Sequence, residues 1–226
     1  WCVSNLLEAY ESYLTTEKKA SANTVSSYLR DVHQFAQEME ERDVPLDEVL
    51  PRDVEDYIRG LTRRGKSAAT VTRSVASIKS FYNCLLSRGL VESNPARNVT
   101  AAKVERKLPQ VLTGKEVELF LEQPECVDAK GFRDHAMLEL LYATGIRVSE
   151  VRYITVEAAQ RGRTEISLKG KIRTILLPGK LCRKLLKYAR KQKIASGEIF
   201  LTRNEKGISR RQIWAEMKAL CDKAGV

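Results

Sequence analysis

The sequence has 226 residues, of which 43% are hydrophobic and 30% are charged. This balance excludes an intrinsically disordered chain and provides apolar side chains for one large or two small cores. Nothing in it approaches the run of about 20 apolar residues that a membrane-spanning helix requires, and no signal peptide is recognisable. Five cysteines without a C-x-x-C spacing and only two histidines argue against a disulfide framework or a metal site, and they favour a reducing cytoplasm.

The net charge is +10, and it is unevenly distributed along the chain. Residues 1–100 carry 13 Lys and Arg against 14 Asp and Glu, whereas residues 101–226 carry 26 against 15. A positive excess confined to one part of a chain indicates a polyanionic partner, and nucleic acid is the leading candidate. Charge alone is equally compatible with a basic protein whose lysines are simply solvated.

The first hundred residues predict four helices, because their apolar residues recur at intervals of three and four. Ser21 and Ser67 are suited to cap the second and fourth helices, and Gly89 is suited to end the fourth. We expect these helices to form a small bundle and assign it to residues 1–95. The polar, basic stretch 96–111 has no sustained periodicity and is predicted to be an interdomain linker.

The part of the chain after the linker mixes helical patterns with other structure. Thr113 and Glu116 have the spacing of a capping box at the start of a short helix. An apolar helix over residues 133–142 is interrupted at Thr144-Gly145, and we expect a new helix to begin near Arg147.

Two apolar-rich runs, 165–168 and 173–177, flank Lys169-Gly-Lys171 and predict a β-hairpin. A basic amphipathic helix is predicted over 181–194, and a last helix over 209–220. The predicted fold class is therefore mainly α with a small β-hairpin, an α+β arrangement of two domains.

The segment Leu140-Leu-Tyr-Ala-Thr-Gly-Ile-Arg-Val-Ser-Glu150 resembles the first catalytic box of the tyrosine recombinase, or phage integrase, family, especially its Xer-like and integrative-element members. Residues 22–31 and 69–82 are similar to helices of that family's core-binding domain, and residues 169–178 are similar to its catalytic hairpin. The resemblance implies an N-terminal four-helix, SAM-like core-binding domain, followed by a partial integrase catalytic domain at residues 112–226.

Arg147 is the residue that this resemblance assigns to the scissile phosphate. A guanidinium is always charged and offers a planar set of donors that matches two phosphate oxygens. Gly145 would let the backbone turn sharply, and a helix N-terminus at Arg147 would add free N–H groups. Glu150, three residues on, is expected to orient Arg147. For an isolated R-x-x-E a surface ion pair would be the simpler interpretation, but the surrounding box favours the functional one.

The hairpin lysine of this family protonates the 5′-oxygen leaving group, and general acid catalysis of this kind contributes roughly 10²–10⁴-fold. The family's usual hairpin has the pattern G-K-G-x-K-x-R. Alignment on the Lys-Gly pair assigns the role to Lys169, with one residue deleted from the turn, whereas alignment from Pro178 keeps Lys171 open. Lys169 is preferred, and the alternative is that both lysines are solvated charges at the hairpin tip.

The family's remaining catalytic residues, an H-x-x-R box, a further His or Trp and the tyrosine nucleophile, have no counterpart in these 226 residues. His135 lies upstream of the Arg147 box and is expected on a helix surface. Tyr142, Tyr153 and Tyr188 are expected to be core or partly buried aromatic residues. The chain is therefore interpreted as a C-terminally truncated recombinase that does not cleave DNA by itself.

Double-stranded DNA is the partner that the resemblance implies, contacted mostly through its phosphates. The candidate contacts lie on the second and fourth helices of the first domain and at the start of the last helix of the second: Asn23, Thr24, Ser27, Arg30, Thr70, Thr72, Arg73, Lys79, Arg210, Arg211 and Gln212. Taken singly, each is as readily explained as ordinary solvated surface.

The leading hypothesis is site-specific DNA recombination, as integration, excision or dimer resolution, through a 3′-phosphotyrosyl intermediate. A covalent intermediate conserves the phosphodiester energy, so neither a metal nor another cofactor is expected. The alternative is a non-catalytic DNA-binding protein, such as a regulator or a decayed integrase. A basic helical protein-interaction module would leave the Arg147 box and the hairpin unexplained.

The resemblance also implies an assembly. We expect a homotetramer on two DNA sites for a full-length protein encoded by a bacterium, a phage or another mobile element, and a monomer for the fragment. No association with a membrane is expected.

Overall fold

The computed structural model describes residues 3–101, 108, 111–168, 171–202, 204 and 206–225. The chain divides into two units, Trp1–Leu108 and Pro109–Val226. The helices of the first unit are α1 (Val3–Ser12), which continues as a π-helical turn (Tyr13–Glu17), α2 (Ala22–Glu41), α3 (Pro51–Arg63) and α4 (Ala68–Ser87). The helices predicted for the first hundred residues are thus confirmed.

The starts of α2 and α4 share one local design, encoded by Ser-Ala-X-Thr-Val in both places. The Ser21 hydroxyl accepts the Thr24 N–H at 3.3 Å, and the Ser67 hydroxyl accepts the Thr70 N–H at 3.2 Å. Each serine hydroxyl also bonds to the threonine hydroxyl, at 2.8 and 2.9 Å. An N-cap of this kind stabilises a helix by about 1 kcal/mol, so the two helix starts are determined locally.

The core of the first unit is built on aromatic residues. Tyr10, Phe35, Tyr57, Phe81 and Tyr82 are each at most 1% exposed. Phe35 and Tyr57 pack edge to face at 5.1 Å between ring centroids, and Tyr10 and Phe81 do so at 5.4 Å. Aromatic rings bury about 150–250 Å² each, and this spacing adds electrostatic attraction to their burial. These rings therefore dominate the packing of the bundle.

The beginning of the predicted linker packs into this core. Ala96 is 0% exposed and Val99 is 4% exposed, and both belong to the buried cluster of the first unit. The packed unit therefore extends beyond residue 95, where the sequence analysis had ended the first domain. Two small apolar residues in a polar stretch have no periodicity to reveal their burial. The division between the two units still falls inside the predicted linker stretch.

The second unit combines helices with one pair of strands. In chain order it contains α5 (Gly114–Leu121), α6 (Ala129–Thr144), a 3₁₀ helix (Val148–Tyr153), α7 (Val156–Arg161), β1 (Arg163–Leu168), β2 (Lys171–Leu176), α8 (Gly179–Lys191) and α9 (Arg210–Ala224). The predicted fold class, mainly α with a small hairpin, is confirmed. In the described part of the chain, no helix has both the length and the apolar character to cross a bilayer.

The two strands form an antiparallel pair, with Ile166 opposite Arg173 and Leu168 opposite Lys171. β2 therefore begins two residues before its predicted start, because backbone pairing continues where the apolar pattern has already ended. Side chains alternate between the two faces of a strand. Lys171 and Arg173 consequently share the face that carries the buried Ile175.

The break between α6 and the next helix is made by Gly145. Its φ is +59°, a region open to glycine at little cost, and its N–H donates to the Leu141 carbonyl at 3.0 Å. The new helix predicted near Arg147 is a 3₁₀ helix of six residues, Val148–Tyr153. It stays short because Ile154 is already extended and Thr155 caps α7, a helix too short to be recognised by periodicity.

Gly131 in α6 lies against the backbone of the preceding loop, which generates a stability prediction. A Cβ atom at this position would overlap the carbonyl group of Glu125. Because backbone yields less easily than a side chain, we expect Gly131→Ala to lower the free energy of unfolding of the second unit by about 1–3 kcal/mol. Urea titration followed by circular dichroism measures this loss.

Gly60→Ala is the matched control, since Gly60 also lies inside a helix, α3. There the nearest atom to a new Cβ is the end of the Arg64 side chain at 3.6 Å. This variant should stabilise the first unit by up to about 1 kcal/mol, the usual gain of alanine over glycine in a helix. Equal effects of the two variants would contradict the steric account.

Candidate active site and nucleic-acid interface

Arg147 occupies the N-cap position of the 3₁₀ helix, directly after the Gly145 turn. Its backbone N–H donates to Oε2 of Glu150 and its Nη1 donates to Oε1 of the same carboxylate, both at 2.9 Å. The Arg147 side chain is 62% exposed, whereas that of Glu150 is 3% exposed. A buried carboxylate therefore holds an arginine whose guanidinium is otherwise turned to solvent.

A second arginine reaches the same carboxylate from the hairpin. Nη1 of Arg173 donates to Oε2 of Glu150 at 3.2 Å, and the Arg173 side chain is 40% exposed. Glu150 thus joins β2 to the Arg147 segment. Arg173 was not among the residues predicted from the sequence, although the last position of the hairpin pattern G-K-G-x-K-x-R was a signal for it. Its proximity to Glu150 depends on tertiary structure, so spacing alone could not reveal it.

The Glu150 carboxyl is held in its charged form. Burial raises its pKa, but the hydrogen bonds from the backbone and guanidinium of Arg147 and the charge of Arg173 outweigh burial and bring the pKa below its usual value. Two guanidinium groups against one carboxylate leave a local excess of positive charge. The arrangement is suited to an anion that approaches from the exposed side of the two arginines.

Of the two lysines that are candidates for the general acid, the structure describes one. Lys171 is the exposed first residue of β2, on the same face of the strand as Arg173. Lys169 lies outside the described residues. The choice between the two therefore stays open, with Lys171 on the strand face that contacts Glu150.

The candidate nucleic-acid contacts of the first unit lie on two helices in contact, α2 and α4. Asn23, Arg30 and Thr72 are exposed, and Ser27 and Lys79 are half-buried. Thr24 and Thr70 are also half-buried, and their hydroxyls take part in the helix caps. The exposed candidates can be reached by a ligand. Thr24 and Thr70 are only partly exposed, and their hydroxyls are already engaged in the caps of α2 and α4.

Arg73 is held more firmly than the other candidates. Its Nε and Nη2 donate to the two carboxylate oxygens of Asp31, at 2.8 and 2.9 Å. Asp31 is only 3% exposed and also accepts the Ser77 hydroxyl at 3.0 Å. This pairing was not predicted from the sequence, since Asp31 and Arg73 are 42 residues apart and meet only when α2 packs on α4.

At the start of α9, Arg210, Arg211 and Gln212 are all exposed. Gln212 is engaged in a capping box, where its Oε1 accepts the Ser209 N–H at 3.0 Å. Four residues after Arg210, Trp214 is 60% exposed, although a large apolar residue within a helix is usually buried. Trp214 was not among the sequence candidates, because an indole in a helical pattern usually indicates core.

Buried charges also join α6 to α9, and the sequence analysis missed them. Arg133, 8% exposed, donates to Asp134 at 2.8 Å and to Glu216 at 2.7 Å, and its Nη1 reaches the Leu201 carbonyl at 3.2 Å. Burial raises the pKa of Glu216, and the neighbouring Asp134 raises it further. This cluster fixes the position of α9, and with it the exposed residues at the start of that helix.

The tyrosines of the second unit depart partly from expectation. Tyr142 is 66% exposed and Tyr153 is 43% exposed, so neither is a core residue, whereas Tyr188 is half-buried. Among the described residues, no tyrosine hydroxyl bonds to the carboxylate of Glu150. His135 is half-buried, with Nδ1 at 3.3 Å from the Leu121 carbonyl, and lies less on the helix surface than expected.

Comparison with known proteins matches both units to one family. The model described as "Phage integrase, N-terminal SAM-like domain" matches residues 7–89, and the model described as "Phage integrase family" matches residues 110–226. The chain belongs to the phage integrase family of tyrosine recombinases. Site-specific DNA recombination is the activity of that family, and the resemblance found at the Arg147 box is confirmed.

Individual relatives agree with the family match. Tyrosine recombinase XerC of Roseiflexus castenholzii is 33% identical over 238 residues, which cover 97% of this chain and 74% of the relative. Tyrosine recombinase XerD of Listeria innocua is 30% identical over 236 residues, covering 99% of this chain and 80% of the relative. This phage integrase chain therefore spans about three quarters of these proteins.

Solved structures of the family share the fold. A lambda integrase tetramer bound to a Holliday junction matches with a TM-score of 0.76 at 18% identity, over 99% of this chain and 64% of that one. The Tn1549 transposon integrase in complex with transposon right end DNA matches with a TM-score of 0.71 at 17% identity, over 96% of this chain and 78% of that one. The integrase fold is therefore present at low sequence identity.

The ion pairs of Glu150 generate a pH prediction. A carboxyl whose pKa is lowered by folding stabilises the protein above its unfolded pKa, near 4.3, and this contribution is lost as pH falls through the folded pKa. We expect Glu150→Gln to destabilise the second unit by about 1–2 kcal/mol at neutral pH, with less effect near pH 3. Urea unfolding at both pH values measures this difference.

Glu118→Gln is the matched control, because Glu118 is exposed on α5 of the same unit. It should change stability little at either pH. A Glu150→Gln deficit that is the same at pH 3 as at neutral pH would show that the charge of Glu150 is not the source of the stabilisation.

Proposed function

We propose that this chain is the DNA-binding and partial catalytic portion of a site-specific recombinase that acts through a 3′-phosphotyrosyl intermediate. The observation that carries the proposal is the junction of Arg147, Glu150 and Arg173, which presents two guanidinium groups around one buried carboxylate. The family supports DNA recombination in general.

Arg147 is proposed to bind the scissile phosphate. Of its guanidinium nitrogens, Nη1 takes part in the described hydrogen bonds, which leaves the exposed side to a phosphate oxygen. As the tyrosine oxygen attacks phosphorus, negative charge grows on the phosphate oxygens that Arg147 contacts. Because Glu150 fixes the guanidinium beforehand, little reorganisation is needed when that charge appears. Glu150 is thus proposed as the residue that positions Arg147.

A lysine of the hairpin is proposed to complete the cleavage step. When the bond between phosphorus and the 5′-oxygen breaks, that oxygen needs a proton, which Lys169 or Lys171 supplies as a general acid. The tyrosine oxygen, whose proton passes to solvent, replaces the 5′-oxygen on phosphorus, so the number of phosphoester bonds is unchanged and no cofactor is required. In the rejoining step a 5′-hydroxyl returns its proton to the lysine and displaces the tyrosine.

The 226-residue chain itself is proposed to bind DNA without cleaving it. It contains Arg147 and both hairpin lysines, and its sequence has no H-x-x-R motif. A phosphate clamp and an acid without a nucleophile retain affinity but cannot form the covalent intermediate. A monomer is proposed for this chain, and a homotetramer on two DNA sites for a longer protein, as in the lambda integrase tetramer.

The second candidate function is a non-catalytic DNA-binding protein, a regulator or a decayed integrase. The coding sequence that follows Val226 separates the two functions, because a recombinase requires H-x-x-R and a later tyrosine there. For either function the proposed place of action is the bacterial cytoplasm, where DNA and a reducing environment for the free thiols are found.

Binding of duplex DNA should depend steeply on salt. Each phosphate neutralised by Lys or Arg contributes about −0.9 to the slope of log affinity against log salt concentration. We expect a Arg210→Gln/Arg211→Gln double variant to make this slope less steep by up to about 2. Fluorescence anisotropy of a labelled duplex between low and physiological salt measures the slope.

Arg183→Gln/Lys187→Gln is the control for that double variant. It removes the same charge from two exposed positions of α8, outside the predicted contacts. Its slope should remain close to that of the unaltered chain. A flat salt dependence of the unaltered chain would refute the DNA-binding function itself.

The catalytic roles are tested in a longer form of the protein that carries the tyrosine. Arg147→Ala should reduce covalent complex formation on a suicide DNA substrate by at least about 10²–10³-fold, while DNA binding is largely kept. Normal cleavage by this variant would refute the role of Arg147. Gel electrophoresis of the trapped complex measures the yield.

The acid is identified by replacing Lys169 and Lys171 singly with alanine. A substrate with a 5′-thiol leaving group should restore cleavage only in the variant that lacks the acid, because a thiolate leaves without a proton. Rescue of neither variant would mean that neither lysine protonates the leaving group.

A further inference from the structure

Arg73 and Asp31 form an ion pair unlike the other described pairs of the first unit. Asp31 is 3% exposed, and its oxygens accept Nε and Nη2 of Arg73 at 2.8 and 2.9 Å and the Ser77 hydroxyl at 3.0 Å. Ser77 is in turn fixed, because its carbonyl accepts the hydroxyl of the fully buried Tyr10 at 3.1 Å. The carboxylate that holds Arg73 is therefore anchored in the core of the bundle.

This anchoring determines which edge of the guanidinium is available. The Nε–Nη2 edge of Arg73 faces Asp31, so the adjacent edge, with the donors of Nη1 and the second donor of Nη2, is not bound to the carboxylate. The Arg73 side chain is 41% exposed, so part of it reaches solvent. A guanidinium with one edge bound and the other exposed presents two parallel donors in a fixed direction.

Together, Arg73 and Asp31 carry no net charge, and this absence of charge makes the pair less suited to a phosphate than an isolated arginine would be. A phosphate contact draws its strength from unbalanced positive charge and the release of counterions. The carboxylate of Asp31 compensates the charge of Arg73, so that source of affinity is weak here. Two fixed donors suit a neutral surface with two adjacent acceptors at least as well.

In duplex DNA, the edge of guanine in the major groove offers two adjacent acceptors, O6 and N7. Adenine presents one acceptor and one donor at the same place, so a rigid pair of donors rejects it. We propose that Arg73 reads a guanine in this way and that Asp31 is its positioning residue. This inference rests on the proposed function, in which α2 and α4 face DNA.

Selection of preferred duplex sequences by the full 226-residue chain tests the inference. The unaltered chain should select a guanine at one position and bind the site with the changed base at least about tenfold more weakly. Arg73→Lys keeps the charge but replaces the planar guanidinium, which can bind Asp31 with one edge and guanine with another, by a single ammonium group, and should lose this preference. Affinity for other sequences and the salt slope should hardly change.

Asp31→Asn separates positioning from a merely structural role. Without the carboxylate, Arg73 is no longer held, so the preference for guanine should disappear. Binding to unrelated sequences should be kept or become tighter, because the charge of Arg73 is now uncompensated. Damage to the fold would instead weaken binding to every sequence. If Asp31→Asn does not fold, Arg73→Lys alone still decides the question.

Arg59→Lys is the matched control, since Arg59 pairs with Asp56 on the surface of α3 at 2.6 Å with both side chains at least half exposed. It should leave the selected sequence unchanged. An Arg73→Lys variant that keeps both the preference for guanine and the salt slope would overturn the inference in favour of a simple charge contact, which a lysine makes equally well. An unaltered chain that shows steep salt dependence but selects no guanine would also overturn it, while leaving DNA binding intact.

Discussion

The candidate active site depends on one interaction, the pairing of the buried Glu150 carboxylate with Arg147 and Arg173. A charge at 3% side-chain exposure requires compensation, because burial without partners would cost several kcal/mol. Arg147 and Arg173 supply that compensation from two different elements, the 3₁₀ helix and β2. The same bonds that satisfy the carboxylate set the position of the hairpin relative to the arginine of the catalytic box. The same hydrogen bonds therefore compensate the charge of Glu150 and set the geometry of the site.

The first unit also contains a buried carboxylate whose charge is compensated by an arginine. Asp31 is buried between α2 and α4, and its charge is met by Arg73 and by the hydroxyl of Ser77. In both units a buried acid holds an arginine whose remaining donors reach solvent. Exposed arginines with the same charge lack this support and spread over many rotamers, at an entropic cost on binding. An arginine held in advance loses less entropy when it meets DNA.

The arginines discussed above therefore fall into two groups. The exposed Arg210 and Arg211 have no described partner among the acidic residues, and in the proposed function they contribute to a general attraction for a polyanion. The arginines paired with Glu150 and Asp31 contribute less net charge, but their hydrogen-bond donors are held in a fixed direction. A count of basic residues cannot separate these groups, since it ignores which of them stand beside a buried acid.

Much of this protein was determined by the sequence alone. Helical periodicity and the caps at Ser21 and Ser67 were sufficient to predict the bundle, because these signals are local. The box at residues 140–150, together with the hairpin and the two core-binding segments in the same order, was sufficient to predict the family. Tertiary structure decided what joins distant residues. Asp31 meets Arg73 across 42 residues, and Glu150 meets Arg173 across 23. No periodicity encodes such partners, since a buried charge is satisfied by whichever opposite charge the packing of the elements brings to it.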